Sequence, residues 1–226
     1  MFSTFGNSGI VVAKAIGSFA GPAALALLSN GDILAVAGNA VEEFGPTGSL
    51  HTSVTSTTTG ATIVATSQGG PNVFQPNGDF VFGSSVAGEF GRGDADIKLV
   101  RFLPQGSVDS TFNSPVFDFG PEEGTNESAR ALVVQPDGHI VAGGEAGHFG
   151  AGGFGVARFN ANGSFDTTFG TGGKVTTPFR NATTVETALV LQPNSNGTGV
   201  NIVAVGSELI NGGGPLNFAA ARYLGQ

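Results

Sequence analysis

The chain of 226 residues has no cysteine and no tryptophan, and only one methionine and one tyrosine. Without cysteine there is neither a disulfide staple nor thiolate chemistry, a composition that any compartment tolerates. Basic residues are scarce: Lys and Arg total 9 against 17 Asp and Glu, for a formal net charge of −8. They are not gathered into a stripe that could track phosphates, which argues against nucleic acid as a partner. An acidic surface serves solubility, and its sharper use is a cation or a basic partner. No apolar run reaches the ~18 residues of a spanning helix. No stretch combines a helical period with caps. The start, Met1-Phe2-Ser3-Thr4, lacks the charged region of a signal peptide. Nor does any linker-like tract divide the chain, so a single all-β domain over residues 1–226 is expected.

What the chain does have is glycine, 38 residues, phenylalanine, 19 residues, and a repeat. Residues 129–170, ARALVVQPDGHIVAGGEAGHFGAGGFGVARFNANGSFDTTFG, hold the clearest copy. Leu132–Gln135 reads as a short strand that ends at Pro136-Asp137-Gly138. Asp-Gly between apolar runs marks a hairpin, because the turn needs φ > 0 and glycine supplies it without a steric penalty. His139–Gly144 returns as a second strand. The glycine-rich loop Glu145–Gly153 leads to a third, Phe154–Asn160, and Asn162-Gly163 turns into a fourth, Ser164–Phe169. Four short strands, repeated, are the mark of a propeller blade.

Second strands align at Ile33, Phe80, Ile140 and Ile202, spacings of 47, 60 and 62 residues, which gives four units. The first is short because Gly38-Asn39 joins its second and third strands directly, and the fourth lengthens its first turn. Third strands read AVEEFG, IKLVRF, FGVARF and FAAARY; fourth strands read SLHTSV, SVDSTF and SFDTTF, and the fourth unit has none before Gln226. Phe2–Val11, FSTFGNSGIV, matches Asp166–Val175, DTTFGTGGKV, so the N-terminal strand is expected to complete the last unit. Such a strand removes free sheet edges, as ring closure requires. The expected fold is an all-β propeller of four four-stranded blades, about 22–56, 61–118, 128–177, and 186–226 plus 2–12. A homodimer joining two halves into an eight-bladed ring stands as the alternative.

ALVVQPDGHIVAGG followed by FGVARFNANGSFDTTFGTGGKV resembles the delta-60 repeat family, a bacterial tandem repeat. The likeness is strongest in the third and fourth units and weakest in the first. It implies a β-propeller and a secreted or cell-surface protein. It carries no agreed catalytic residues, so none can be transferred.

Arg101 and Arg158 recur at one repeat position, and Asp109 and Asp166 recur eight residues later across a turn. Arg101–Asp109 and Arg158–Asp166 are therefore read as cross-strand ion pairs. In the first unit the same positions are Glu43 and His51, the signs exchanged, which makes His51 structural rather than a general base. Arg222 shares the arginine position but faces Phe2 in place of an acid. Asp32, Asp79 and Asp137 belong to hairpin turns, His139 follows one and is read as solvent-facing, and the repeating phenylalanines are core. The glycine runs 150–155 and 212–214 lead into no helix and carry no Lys-Ser/Thr, so they are not phosphate loops. Arg92-Gly93-Asp94 is an isolated tripeptide, and the sequons at Asn126, Asn162, Asn181 and Asn196 matter only in a source that glycosylates.

Strand polarity puts the tight turns on one face and the long loops on the other. Function on repeat scaffolds sits on loops held by a rigid frame. The preferred reading is a non-enzymatic propeller that binds a small molecule, glycan or protein through the long-loop face, or is structural, with Phe90 and Phe149 as an apolar floor. The other reading is a Ca²⁺-dependent hydrolase of lactones or esters, acyl-homoserine lactones among the substrates. There Asp94, Asp96, Glu122, Glu123 and Glu145 would supply oxygen ligands and His148, beside Glu145, the base. That reading rests on likeness of architecture alone. A glycosidase with two facing carboxylates comes third, and no Cys, no G-x-S-x-G elbow and only three His leave little for nucleophilic catalysis.

Overall fold

A computed structural model of the chain describes residues 4–8, 10–12, 22–28, 30–37, 40–55, 71–87, 95–105, 107–119, 128–147, 152–179, 182–195, 197–210 and 216–225. These form 15 strands in four antiparallel sheets and no helix. The first sheet is β1 (Pro22–Leu27), β2 (Ile33–Ala37), β3 (Ala40–Phe44) and β4 (Leu50–Thr55), in that order. The second is β5 (Asn72–Phe74), β6 (Phe80–Ala87), β7 (Ala95–Phe102) and β8 (Val116–Phe117). The third is β9 (Ala129–Val134), β10 (Ile140–Ala146), β11 (Gly153–Phe159) and β12 (Lys174–Pro178). The fourth has three strands among the described residues, β13 (Ala182–Pro193), β14 (Val200–Ile210) and β15 (Leu216–Tyr223). Each is a meander in sequence order, as hairpin connections demand.

The hairpins turn where the sequence puts Asn-Gly or Asp-Gly. Gly31, Gly78 and Gly138 have φ of +88°, +89° and +91°, which a Cβ would disfavour. The preceding Asn or Asp side chain bonds back to the backbone: Asp32 N to Asn30 Oδ1 at 3.0 Å, Asp79 N to Asn77 Oδ1 at 3.1 Å, and His139 N to Asp137 Oδ1 at 3.1 Å.

The fourth strands differ from expectation in the second and third units. Val108 and Phe165 each make one isolated bridge, to Phe102 and Phe159, and the chain then leaves the sheet. Asp166 Oδ1 accepts from Thr168 N at 3.0 Å and Thr168 Oγ1 at 2.6 Å, and Asp109 does the same with Thr111 at 2.8 and 2.6 Å. An Asp that bonds the backbone two residues on competes with a ladder and makes a turn. The true fourth strands, β8 and β12, follow this loop. In the first unit no such Asp exists, and β4 pairs with β3 directly.

The sheets stack by their faces. Val81, Ile97, Leu99, Phe117 and Phe119 of the second unit meet Leu132, Ile140, Ala142, Ala157 and Phe159 of the third. The opposite face of the third sheet, with Val141, Phe154 and Val156, packs on Leu189, Ile202, Ala204, Ala219 and Tyr223 of the fourth. Phe117 is the hub of the first cluster, with ring centroids 5.2 Å from Phe159, 5.6 Å from Phe119 and 5.7 Å from Phe165. Period-2 alternation thus gives the third sheet two apolar faces, one for each neighbour. The end faces are open: Leu25 and Leu27 on the first sheet, and Val190, Leu216 and Phe218 on the fourth, are all more than half exposed.

The N-terminal segment repeats the loop that precedes β12. Asn7 bridges Ile10 as Thr171 bridges Lys174, and Gly6 and Gly170 both have φ of +54°. Gly6 N donates to Thr47 O at 2.7 Å, in the first unit's third turn. The same contact joins the second and third units, where Asn113 N donates to Asn162 O at 2.8 Å.

Candidate functional site

On the tight-turn face each unit sets charged side chains at the end of its third strand. In the second unit Arg101 Nη2 and Nε reach Asp109 Oδ2 at 2.6 and 2.9 Å, with Asp79 Oδ2 3.5 Å from Nε. Arg101 Nη1 donates to Gln75 Oε1 at 3.1 Å and, across the unit boundary, to Ala161 O at 2.6 Å. Its guanidinium lies over the Phe112 ring, 4.6 Å from the centroid. In the third unit Arg158 Nε donates to Asp166 Oδ2 at 2.7 Å and the guanidinium lies 4.7 Å over Phe169.

These neighbours set the carboxyl pKa values. The Thr111 hydroxyl and then Arg101 hold Asp109 below the ordinary carboxylate range, against its desolvation. Burial pushes Asp166 up, but the Thr168 hydroxyl and amide with Arg158 outweigh it, and the group titrates low. His139, read as solvent-facing, is half-buried instead. Its Nδ1 is 3.0 Å from Asp137 Oδ1, off the hydrogen-bond direction, and its Nε2 is 3.5 Å from Asp166 Oδ2. It occupies the repeat position of Asp32 and Asp79, so the turn face draws it toward the cluster.

In the first unit Glu43 and His51 are joined by a third member. A bulge in the β3–β4 register sets Glu43 opposite Thr52 and Phe44 opposite Leu50, so His51 has no strand partner and its ring reaches the first turn. His51 Nδ1 lies 3.2 Å from Asp32 Oδ2 and Nε2 lies 3.2 Å from Ser49 Oγ. Burial first, and then the hydrogen bond and charge of Asp32, raise the Glu43 pKa, while His51 pulls it back.

A cleft of about 820 Å³ opens on this same face between the third and fourth units. Its walls include Arg158, Phe169 and Gly170 on one side and Asn194, Asn201 and Arg222 on the other. Arg158 is almost wholly buried at its side chain, 3% exposed, yet among the described residues nothing accepts from its Nη1. Gly170 N likewise has no acceptor there. Arg222, at the repeat position of Arg101 and Arg158, has no acid beside it among the described residues. Gln135, 1% exposed, bonds through neither amide atom, whereas its counterpart Gln75 meets Arg101. It stands behind the cleft wall: a Cβ on Gly225 would be 2.8 Å from its Nε2.

The long-loop residues are placed as follows. His148, Phe90, Phe149, Asp94, Glu122 and Glu123 lie outside the described residues. Asp96 is buried at 3% exposure on β7, opposite Val86. Glu145 is half-buried on β10, opposite Phe154. Among the described residues, the three-membered cluster suited to an ion is Asp32, Glu43 and His51, on the tight-turn face. Sequence reading treated Asp32 as a turn residue alone, and it missed the cleft, whose walls come from two units.

Two stretches, residues 86–112 and 135–169, match the model of a domain of unknown function (DUF5122) beta-propeller. They cover the second unit from late β6 through its Asp109 loop, and the third from its first turn through its Asp166 loop. This supports a β-propeller repeat, in line with four antiparallel all-β sheets. Among solved structures the chain is similar to a protein of unknown function from Bacteroides caccae, at 9% identity and a TM-score of 0.43. The match covers 88% of this chain and 60% of that one, and it carries no argument about fold or function. No curated protein matches the chain. No helix among the described residues is long and apolar enough to cross a membrane.

Proposed function

We propose that this chain is a non-enzymatic recognition propeller, and that the cleft between its third and fourth units takes a protein segment presenting backbone carbonyls in a tight turn. One observation carries this reading: the same junction one unit earlier is filled by such a turn. There Ala161 O accepts from Arg101 Nη1 at 2.6 Å and Asn162 O accepts from Asn113 N at 2.8 Å. In the cleft the matching donors, Arg158 Nη1 and Gly170 N, meet no acceptor among the described residues. By register the counterpart of Ala161 is Gly225 on the cleft wall and that of Asn162 is Gln226, outside those residues, while Asn194, Asn201 and Arg222 add polar groups at the rim. A donor-lined hollow with apolar walls favours oxygen acceptors on a polypeptide.

The test is a cyclic peptide carrying the third unit's turn, Phe159–Asp166, titrated against isotopically labelled protein. Amide shifts at Gly170, Asn201 and Arg222, weakened at least tenfold by Arg222→Glu, support the reading. Saturable shifts confined to other residues, or no shifts at all, refute it. The long-loop face stays a separate candidate surface, and the calcium-dependent hydrolase has Asp96 and Glu145 as its only described ligands.

The ring is inferred to close through the N-terminal segment. Support comes from the Gly6–Thr47 bond, which copies Asn113–Asn162, and from the lack of a fourth strand beside β15 among the described residues. The segment sits on the first unit as the tail of a preceding unit would.

A further inference from the structure

The second and third units build their turn-face clusters around a guanidinium, Arg101 among Asp79 and Asp109, and Arg158 on Asp166. The first unit keeps the first-turn acid, Asp32, and lacks the guanidinium. Glu43 stands where the arginine stands in its sisters, and His51 where their second acid stands. Asp32 and Glu43 are both buried, 6% and 8% exposed, so two carboxyl groups face each other out of water without the fixed cation of the other units. Like charges so placed cannot both persist unless a cation or proton lies between them.

The geometry around His51 suits the ion. One ring nitrogen, Nε2, is engaged by a hydroxyl outside the cluster, Ser49 Oγ at 3.2 Å, and the other, Nδ1, faces Asp32 Oδ2 at 3.2 Å. In the tautomer whose Nε2–H donates to Ser49 Oγ, the Nδ1 lone pair points at the carboxylates. This is how ligating histidines are commonly held, one nitrogen hydrogen-bonded and the other free for the ion. One ligand atom from each of Asp32, Glu43 and His51 lies within 4.8 Å of the others. The 3.2 Å edge between Nδ1 and Oδ2 is near the ~3.4 Å that tetrahedral bonds of about 2.0–2.1 Å would give.

We propose that Asp32, Glu43 and His51 form a divalent transition-metal site of the Zn²⁺ class, the ion taking the place of the guanidinium in the neighbouring units. An imidazole and two carboxylates suit zinc-like ions, with water in the fourth position. Calcium fits worse, since it seeks six to eight oxygens. The His51 side chain, 46% exposed, opens the site to solvent.

The test uses the whole chain, freed of metal by chelator and titrated with Zn²⁺ and, for its visible spectrum, Co²⁺. One equivalent should bind, Co²⁺ should show a spectrum of mixed nitrogen and oxygen ligation, and Zn²⁺ at 100 times Kd should raise Tm by about 5–10 °C. His51→Ala should weaken binding at least tenfold, while His139→Ala should leave it unchanged. The double variant Glu43→Arg with His51→Asp writes the pair of the second and third units into the first. It should fold, keep a Tm at least equal to that of the metal-free parent, and lose the response to Zn²⁺. No stoichiometric binding by the parent would make a proton the occupant and overturn the proposal. A zinc response that survives in the double variant would place the ion elsewhere and overturn it as well.

Discussion

Asp109 and Asp166 hold the same repeat position with different support, so truncating each to alanine measures what surrounds it. Asp166 is the acid on Arg158 Nε, at 2.7 Å, and it also bonds the Thr168 amide and hydroxyl at 3.0 and 2.6 Å. The Arg158 side chain is 3% exposed. Asp166→Ala therefore strands a buried guanidinium and opens the loop, a loss of about 3–5 kcal/mol. At ~2–4 °C per kcal/mol for a chain of this size, Tm should fall by about 6–20 °C. Arg101 is held more widely. After Asp109→Ala it keeps Ala161 O at 2.6 Å, Gln75 Oε1 at 3.1 Å and Asp79 Oδ2 at 3.5 Å, and its side chain is 12% exposed. The loss there is mainly two bonds to Thr111 and part of an ion pair, about 1–2 kcal/mol. Urea unfolding of both variants, followed by circular dichroism with m checked for constancy, gives the two numbers. Equal losses, or a larger loss for Asp109→Ala, would refute the claim that burial of the arginine and its alternative acceptors set the difference.

The pH dependence follows from the same groups. Asp109 and Asp166 have folded pKa values below their unfolded ones, so their stabilisation is present above about pH 4 and lost as pH falls through the folded values. Stability of the double Asp→Asn variant should thus fall less steeply below pH 4 than that of the parent. Glu43, with its pKa raised beside Asp32 and His51, has the opposite sign: its contribution is present below the unfolded value and fades as pH rises through the folded one. In chelator, Glu43→Gln should gain on the parent in thermal melts as pH rises above the ordinary glutamate range. A methyl at Gly155 would overlap Cβ and Cγ of Phe119, so Gly155→Ala should lose about 1–3 kcal/mol in urea unfolding. Ring closure is read by a cysteine pair in a chain that has none. Ile10 and Ala221 hold the positions of Lys174 and Ala157, which pair across β11 and β12. Ile10→Cys with Ala221→Cys should oxidise to a disulfide within one chain, whereas linked dimers would point to the eight-bladed ring, and no disulfide at all would argue against this strand pairing.

What the sequence made legible was local. Pro136-Asp137-Gly138 and its relatives mark the first turns because an Asx side chain and a positive φ act over three residues. Phe159, Ile140 and Val141 alternate, and that alternation is enough to assign both faces of a central sheet. The loop after Phe165 was not legible, since Thr-Thr-Phe reads as strand until Asp166 is seen to bond Thr168. Asp32 and Asp79 likewise look complete as turn residues, and their second role depends on His51 and Arg101, which the fold brings from other strands. The cleft was hidden for a related reason. No window of sequence contains both Gly170 and Asn201, and an unmet donor shows only when its filled counterpart is in view.

The bond from Asn113 N to Asn162 O gives the array a direction. The N-terminal segment clasps the first unit's turn at Thr47 in the same sense, and although Lys174 Nζ and Thr176 Oγ1 of the third unit bond back to Asp118 O and Phe119 O, the loop-to-turn clasps among the described residues all face one way. In a quasi-one-dimensional stack this makes the nearest-neighbour coupling vectorial. Opening should begin at Gly170, whose clasp closes on no turn among the described residues, and spread toward the earlier units, with hydrogen exchange at the Asp166 loop running ahead of that at the Asp109 loop.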